Sequence, residues 1–378
     1  MRVALVHYWL VGMRGGERVL ESLCRMFPEA DIYTHVVDRS KISRVLASHR
    51  ITETFIGRLP FAKRWYQKYL ALMPWALEAL DLTGYDLIIS NESGPAKGIV
   101  PPPDGVHITY VCSPMRYIWD KYYVYRSTAG RLTRLLMLPI AHRLRIWDTA
   151  SAARVDHFLA DSTFVAQRIN KFWRRDAEVL FPPVAIDEFN PAPPEDLGDY
   201  YLWAGELVSY KRPDLAVEAF RRNGRRLIVI GDGAERRKLE RDAPPNITFL
   251  GKVGFAELKR HMACCRALIF PGDEDFGIIP VEVQASGRPV IAYGRGGILD
   301  TVIDGRTGIL YRDSGAEGLV AAVERFEASD LVDGATEACV ANASRFTEAA
   351  FQDGVRTALA RCGITWTPLV PTTETSLA

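Results

Sequence analysis

The chain of 378 residues has no uninterrupted apolar stretch of about 18 residues, the least a bilayer-crossing helix needs, so any membrane contact must be peripheral. Its six cysteines (Cys24, Cys112, Cys264, Cys265, Cys339, Cys362) form no C-x-x-C pair and no zinc-type spacing with histidine. A disulfide framework and a metal site are therefore not indicated, and a reducing cytosol fits best. An excess of one charge is also missing. With 47 Lys and Arg against 46 Asp and Glu, the formal charge is +1, and no overall basic field argues for a nucleic-acid partner. The apolar start Met1 to Val6 meets His7 and Arg14 too soon to form the core of a signal peptide.

What remains is an ordinary globular composition, 48% apolar and 25% charged, which excludes disorder and fibrous repeats. The length suits two domains of roughly 150 residues or more. In the second half, β-branched runs at Tyr200 to Ala204, Leu227 to Ile230, Ile247 to Leu250, Ala267 to Phe270, Val290 to Tyr293 and Gly308 to Tyr311 alternate with helical patterns starting near Pro213, Ala234, Phe255, Pro280 and Ala316. That alternation predicts an α/β fold with a parallel sheet. The first half repeats it less cleanly, with strands expected at Val3 to His7, Asp86 to Ser90, Ile108 to Cys112 and His157 to Asp161. Prolines 182, 183, 191, 193 and 194 cannot continue a helix or central strand. The expected layout is a Rossmann-like domain over 1–182, a linker over 183–199, a second Rossmann-like domain over 200–345, a C-terminal helix over 346–364 packing back on the first domain, and a disordered tail over 365–378. Ligands in such sheets sit at the carboxyl ends of strands, where the strand-to-helix turns carry the chemistry.

The stretch from Ala267 to Tyr293 is the most informative. A strand ends near Phe270, an acidic loop follows, Gly277 lets backbone amides approach a ligand, and Pro280 opens a helix. Amides and a helix dipole suit a diphosphate, while Glu274 and Glu282 can accept hydrogen bonds from sugar hydroxyls. Lys211 and Arg212, in the loop before a helix starting near Pro213, supply cations that could stabilise a leaving diphosphate without a metal. Gly15 and Gly16 follow the first strand and permit close backbone approach.

These residues resemble retaining glycosyltransferases of family 4, whose donor motif is Glu, seven residues, Glu. The resemblance extends over His7 to Leu10, Gly15 to Leu20, Ser113 to Asp120, Tyr210 to Asp214, Gly231 to Gly233, Glu274 to Gly277 and Gly296-Gly297, and is nearest to bacterial O-antigen and exopolysaccharide mannosyltransferases. It implies a GT-B fold, two Rossmann-like domains facing across a cleft, with acceptor binding in the first and nucleotide-sugar binding in the second. It further implies that Lys211 and Arg212 neutralise the diphosphate, that Gly277 and Ile278 cap it, that Glu274 holds sugar hydroxyls and Glu282 the ribose, and that Gly15 and Gly16 also touch the donor. The implied reaction is metal-independent, with no cofactor beyond a nucleotide-sugar substrate: mannose from GDP-mannose, or another hexose from a UDP- or dTDP-sugar, moves to a lipid-linked saccharide. A non-catalytic nucleotide-sugar or glycan binder is the alternative. Two positions depart from the family pattern: Glu206 stands where an Arg is usual, and Cys112 where a His is common.

Two N-terminal stretches mix cations with aromatics. Arg58, Lys63, Arg64 and Trp65 lie in one, and Arg116, Tyr117 and Trp119 in the other. That composition suits a face on anionic headgroups. The expected location is cytoplasmic, at the inner face of the cell membrane.

Overall fold

The computed structural model describes residues 1–366; of the tail expected over 365–378, residues 367–378 lie outside the described residues. The chain forms two compact units, the first from residues 1–159, 169–180 and 351 onward, the second from residues 160–168 and 181–350. Each is built on one sheet.

The first unit's strands are β1 (Val3–His7), β2 (Asp31–Thr34), β3 (Ile51–Glu53), β4 (Leu87–Glu92), β5 (Val106–Val111), β6 (His157–Ala160) and β7 (Glu178–Val179), in the order β3-β2-β1-β4-β5-β6-β7. β1 runs parallel to both neighbours, with Ala4 opposite Asp31 and Val3 opposite Leu87. All five residues of β1 are buried, the apolar run Val3 to Val6 and then His7, as a sheet covered on both faces requires.

The second unit's strands are β8 (Tyr201–Ala204), β9 (Leu227–Ile230), β10 (Ile247–Gly251), β11 (Leu268–Phe270), β12 (Val290–Tyr293) and β13 (Gly308–Tyr311), ordered β10-β9-β8-β11-β12-β13. β8 pairs in parallel with β9 and β11, and β11 with β12. In each sheet the winding starts at an inner strand, runs to one edge and returns to continue on the other side. Reversal falls between β1 and β4 in the first sheet and between β8 and β11 in the second, and a doubly wound sheet takes its ligand just beyond the carboxyl ends of those strands.

Differences from expectation have local causes. β2, β3 and β7 were not foreseen: β2 carries Asp31 and Thr34 among its four residues, and β7 is two residues long. The proline-rich stretch is no free linker, because Val184 and Phe189 are buried in the second unit's core; prolines stop regular structure without stopping burial of the residues between them. The helix Glu348–Arg361 buries Phe351, Val355, Ala358 and Leu359 in the first unit, where Phe351 meets Tyr110 edge to face at 5.5 Å.

The first unit also buries a charged group. Lys97, Glu92 and Asp148 are all fully inaccessible. Lys97 pairs with Asp148, and its Nζ lies 3.6 Å from Glu92 Oε1. The indoles of Trp119 and Trp173 both donate to Asp148 Oδ2 at 2.7 Å, and Lys97 sits 4.2 Å over the Trp173 ring. One cation faces two carboxyls, and burial pushes Glu92 up to about 7. A carboxyl raised on folding contributes fully below its unfolded value and loses that contribution as pH climbs through the folded one. The melting temperature of the wild type should therefore fall relative to that of Glu92→Gln between pH 5 and 7.5, by roughly 5 °C. A difference that stays constant across this range in paired thermal melts would remove Glu92 as the titrating group.

Candidate functional site

The turn after β8 and the loop after β11 meet at the second sheet's reversal point. Lys211 closes the turn Ser209–Lys211 and Glu274 stands in the acidic loop; Lys211 Nζ is 2.9 Å from Glu274 Oε1, with both side chains less than one-fifth exposed. Close backbone approach makes the pairing possible. A β-carbon on Gly272 would lie 2.9 Å from the Lys211 Cα, so the acidic loop can lie against the turn only with glycine at that position. Burial by itself would lower the Lys211 ammonium, but the Glu274 carboxylate, with Tyr210 and Glu206 adding to it, outweighs burial and holds the group above its ordinary value. Lys211 is charged at neutral pH.

The three acids of this loop have different partners. Asp275 is buried and takes Arg168 Nη1 at 2.9 Å, and Asp273 faces Arg295 at 3.5 Å. That leaves Glu274 turned to Lys211. Gly277 follows at φ +90° as the N-cap of the helix Ile278–Ala285, which starts two residues before Pro280. Pro280 is thus the third helical residue, still within the first turn, where its missing N–H breaks no helical bond. Glu282, half-buried, lies one turn on from Ile278 on the same face, and side chains lean toward a helix's N-terminus. Amide donors and carboxylates therefore face one end of this helix.

Arg212 is placed differently from Lys211. It sits at φ +53°, and its guanidinium holds Asp214 through Nε at 3.0 Å and Nη2 at 3.0 Å. A cation engaged at the start of the next helix is a weaker claimant on a phosphate than Lys211 is. Glu206 is exposed, and its charge is felt at Lys211.

In the first unit, Gly15 and Gly16 open the helix Gly15–Met26 at the reversal between β1 and β4. Asn91, in β4, donates from Nδ2 to the Gly16 carbonyl at 2.6 Å, and Cys112 Sγ donates to Asn91 Oδ1 at 3.3 Å. Cys112 is more than an apolar filler: it orients the amide that holds the glycine turn. Beneath the turn, His7 is fully buried, its Nε2 3.9 Å from Glu17 Oε1. Burial opposes ionisation of Glu17, yet the His7 imidazole and the Arg14 amide hold its carboxyl below the usual value. His107 is structural: burial lowers it to about 4, and Nε2 contacts Ser90 Oγ at 2.9 Å.

The comparisons bear on the second unit first. Residues 198–328 match the family model of the glycosyl transferases group 1. The matched segment contains Lys211, Glu274, Gly277 and Glu282. An uncharacterized glycosyltransferase of Methanocaldococcus jannaschii is 36% identical over 120 residues, covering 30% of this chain and 34% of that protein. A GDP-mannose-dependent alpha-mannosyltransferase of Mycolicibacterium smegmatis is 32% identical over 185 residues, 45% of this chain and 48% of that protein. The chain thus spans between a third and a half of the length of these relatives. A crystal structure of Anabaena HepE in complex with UDP-glucose superposes with a TM-score of 0.67 at 16% identity, covering 96% of this chain and 100% of that one. At that identity the likeness speaks to fold, and the fold is GT-B.

Outside the matched segment, the second aromatic-cationic stretch has partners within the first unit. Trp119 stacks on Phe172 at 4.8 Å and 9° and donates to Asp148, the Tyr117 hydroxyl is buried, and Arg116 Nε bonds Ser113 Oγ at 3.3 Å. All three are only partly exposed, and these contacts turn their rings and charge toward partners within the first unit. Arg58, Lys63 and Arg64 are exposed, with Trp65 half-buried against Phe61 at 4.7 Å. Asn91 and Arg168 escaped the sequence reading; the position of Asn91 on a strand at the reversal point is the signal that could have found it. Asn91→Ala should raise amide exchange over Gly15 to Arg18 about 5-fold while β1 stays protected, and Cys112→Ser, which keeps a donor, should leave exchange unchanged. Unchanged exchange in Asn91→Ala would show that the turn is held by other contacts.

Proposed function

We propose that the protein is a retaining glycosyltransferase that moves a hexose, mannose from GDP-mannose, to a lipid-linked saccharide in bacterial surface or exopolysaccharide synthesis. The reading rests on the apposition of Lys211 and Glu274 at the second sheet's reversal point. In the reaction the bond from the sugar's anomeric carbon to the diphosphate breaks and a bond to the acceptor oxygen forms on the same face. The acceptor's proton passes to the departing phosphate, so neither Cys112 nor a histidine has to act as base. Negative charge gathers on the diphosphate, and the Lys211 ammonium beside it lowers the barrier with no metal cofactor assigned. Glu274, released from Lys211, accepts from the sugar's hydroxyls; Glu282 accepts from the ribose; Gly277 and Ile278 offer amides to the phosphate. Arg212 is kept as a secondary cation, available if Asp214 releases it. Gly15 and Gly16 keep a donor-contacting role on resemblance.

Mannose and guanine are favoured because the Mycolicibacterium relative carries GDP-mannose in its name, over an alignment that includes part of this chain. UDP- and dTDP-sugars are the competing donors. Glu206 favours a second reading, binding without transfer, since it places a carboxylate where a cation would stabilise the departing diphosphate. The acceptor would be met at the cytoplasmic face of the membrane through the exposed Arg58, Lys63 and Arg64, with Trp65 beside them.

Incubation with GDP-mannose and a bacterial lipid extract should release GDP, with Lys211→Ala and Glu274→Ala at least 100-fold slower. In a melting-temperature panel, GDP should raise stability and UDP should not. Turnover by both variants at the wild-type rate would refute the roles, and stabilisation by UDP alone would move the donor to the uridine class.

A further inference from the structure

The helix Arg131–Ala152 has two apolar sides. Met137, Ile140, Ala141, Leu144 and Trp147 face inward, packed with Met115, Ile118 and Tyr122. On the other side Leu132, Leu135 and Leu136 follow the i, i+3, i+4 spacing of a single face, and Leu132 and Leu135 are 71% and 72% exposed. The preceding helix Tyr122–Thr128 adds Tyr123, 76% exposed. Soluble monomers rarely leave a second apolar face of this kind open.

Charge decides what covers it. Between Asp120 and Asp148 the sequence has no carboxylate, and Arg131, Arg134 and Arg143 are exposed around the leucines. A second copy docking by a two-fold axis would set this patch against itself and bring like charges together. An anionic leaflet attracts the arginines and accepts the leucines. Among the described residues no helix is long and apolar enough to cross a membrane, so this one would lie in the headgroup layer. A second patch rises from the same apolar cluster: Leu70 packs with Tyr122 and Leu144, while nearby in sequence Phe61 and Trp75 are each 67% exposed among Arg58, Lys63, Arg64 and Lys68.

We propose that the helix pair Tyr122–Ala152 is an anchor that inserts Leu132, Leu135 and Leu136 into the surface of an anionic bilayer, with Arg131, Arg134 and Arg143 holding headgroups. This deepens the lipid-linked acceptor reading and rests on it for purpose, while its geometry stands alone. It also moves the membrane contact from Arg116, Tyr117 and Trp119, which are occupied internally, to side chains beyond Asp120.

The test is co-sedimentation with phosphatidylcholine vesicles with and without phosphatidylglycerol, together with sedimentation velocity and GDP-induced stabilisation of the same samples. Wild type should pellet with phosphatidylglycerol vesicles. Leu132→Asn/Leu135→Asn should lose about 10-fold or more in partitioning, and Arg131→Gln/Arg134→Gln/Arg143→Gln should lose the preference for phosphatidylglycerol. Both variants should keep the wild-type melting temperature and GDP response, which separates failure of the anchor from failure of the nucleotide reading. Wild type remaining in the supernatant, the leucine variant pelleting like wild type, or that variant converting a wild-type dimer to monomer would each overturn the proposal.

Discussion

The ion pair of Lys211 and Glu274 is the constraint around which the second unit's reversal point is organised. A lysine and a glutamate with so little access to water cost free energy to desolvate, and they are tolerated because their opposite charges lie 2.9 Å apart. The neighbouring sequence serves that pairing. Gly272 lets the acidic loop reach the turn, Arg168 and Arg295 engage Asp275 and Asp273, and Gly277 turns the chain into a helix whose first amides are unpaired along the axis. In the proposed function this pair exchanges partners, a diphosphate replacing the carboxylate at Lys211 while the freed carboxylate meets neutral hydroxyls.

The first unit solves a related problem with neutral groups. Its glycine turn is held by an amide and a thiol in series, Cys112 to Asn91 to the Gly16 carbonyl, with the His7 and Glu17 contact beneath. Where the resemblance leads one to expect a histidine, Cys112 still supplies a donor and lacks an imidazole's second nitrogen and its proton. The same unit shows how a polar composition can be misread. Trp119 supports a buried aspartate, and nearby Arg145 donates from Nε to the Ile118 carbonyl at 2.6 Å.

Most of the sheet was legible from sequence because central parallel strands are buried on both faces and stand out as short apolar runs; Leu227–Ile230, Val290–Tyr293 and Gly308–Tyr311 fall where those runs lie. The edges were not, since β2, β3 and β7 are short or carry polar residues. At the site, residue type and order pointed to Lys211, Glu274, Gly277 and Glu282, because strand-end loops concentrate such chemistry. Which acid would face the lysine was not legible: Asp273, Glu274 and Asp275 are adjacent, and only tertiary partners sort them. Arg212 beside Lys211 looked equivalent, and the local bond to Asp214, two residues on, distinguishes them. The exposed leucines of Arg131–Ala152 also needed the structure, since periodicity does not say which of two apolar faces is inside.

Calorimetric titration of GDP into wild type, Lys211→Met and Glu274→Gln tests the exchange most directly, because GDP carries the diphosphate and lacks the sugar. The account predicts weaker binding to Lys211→Met and equal or tighter binding to Glu274→Gln, whose lysine no longer has a competing carboxylate. Equal affinity in all three proteins, or equal losses in both variants, would contradict it.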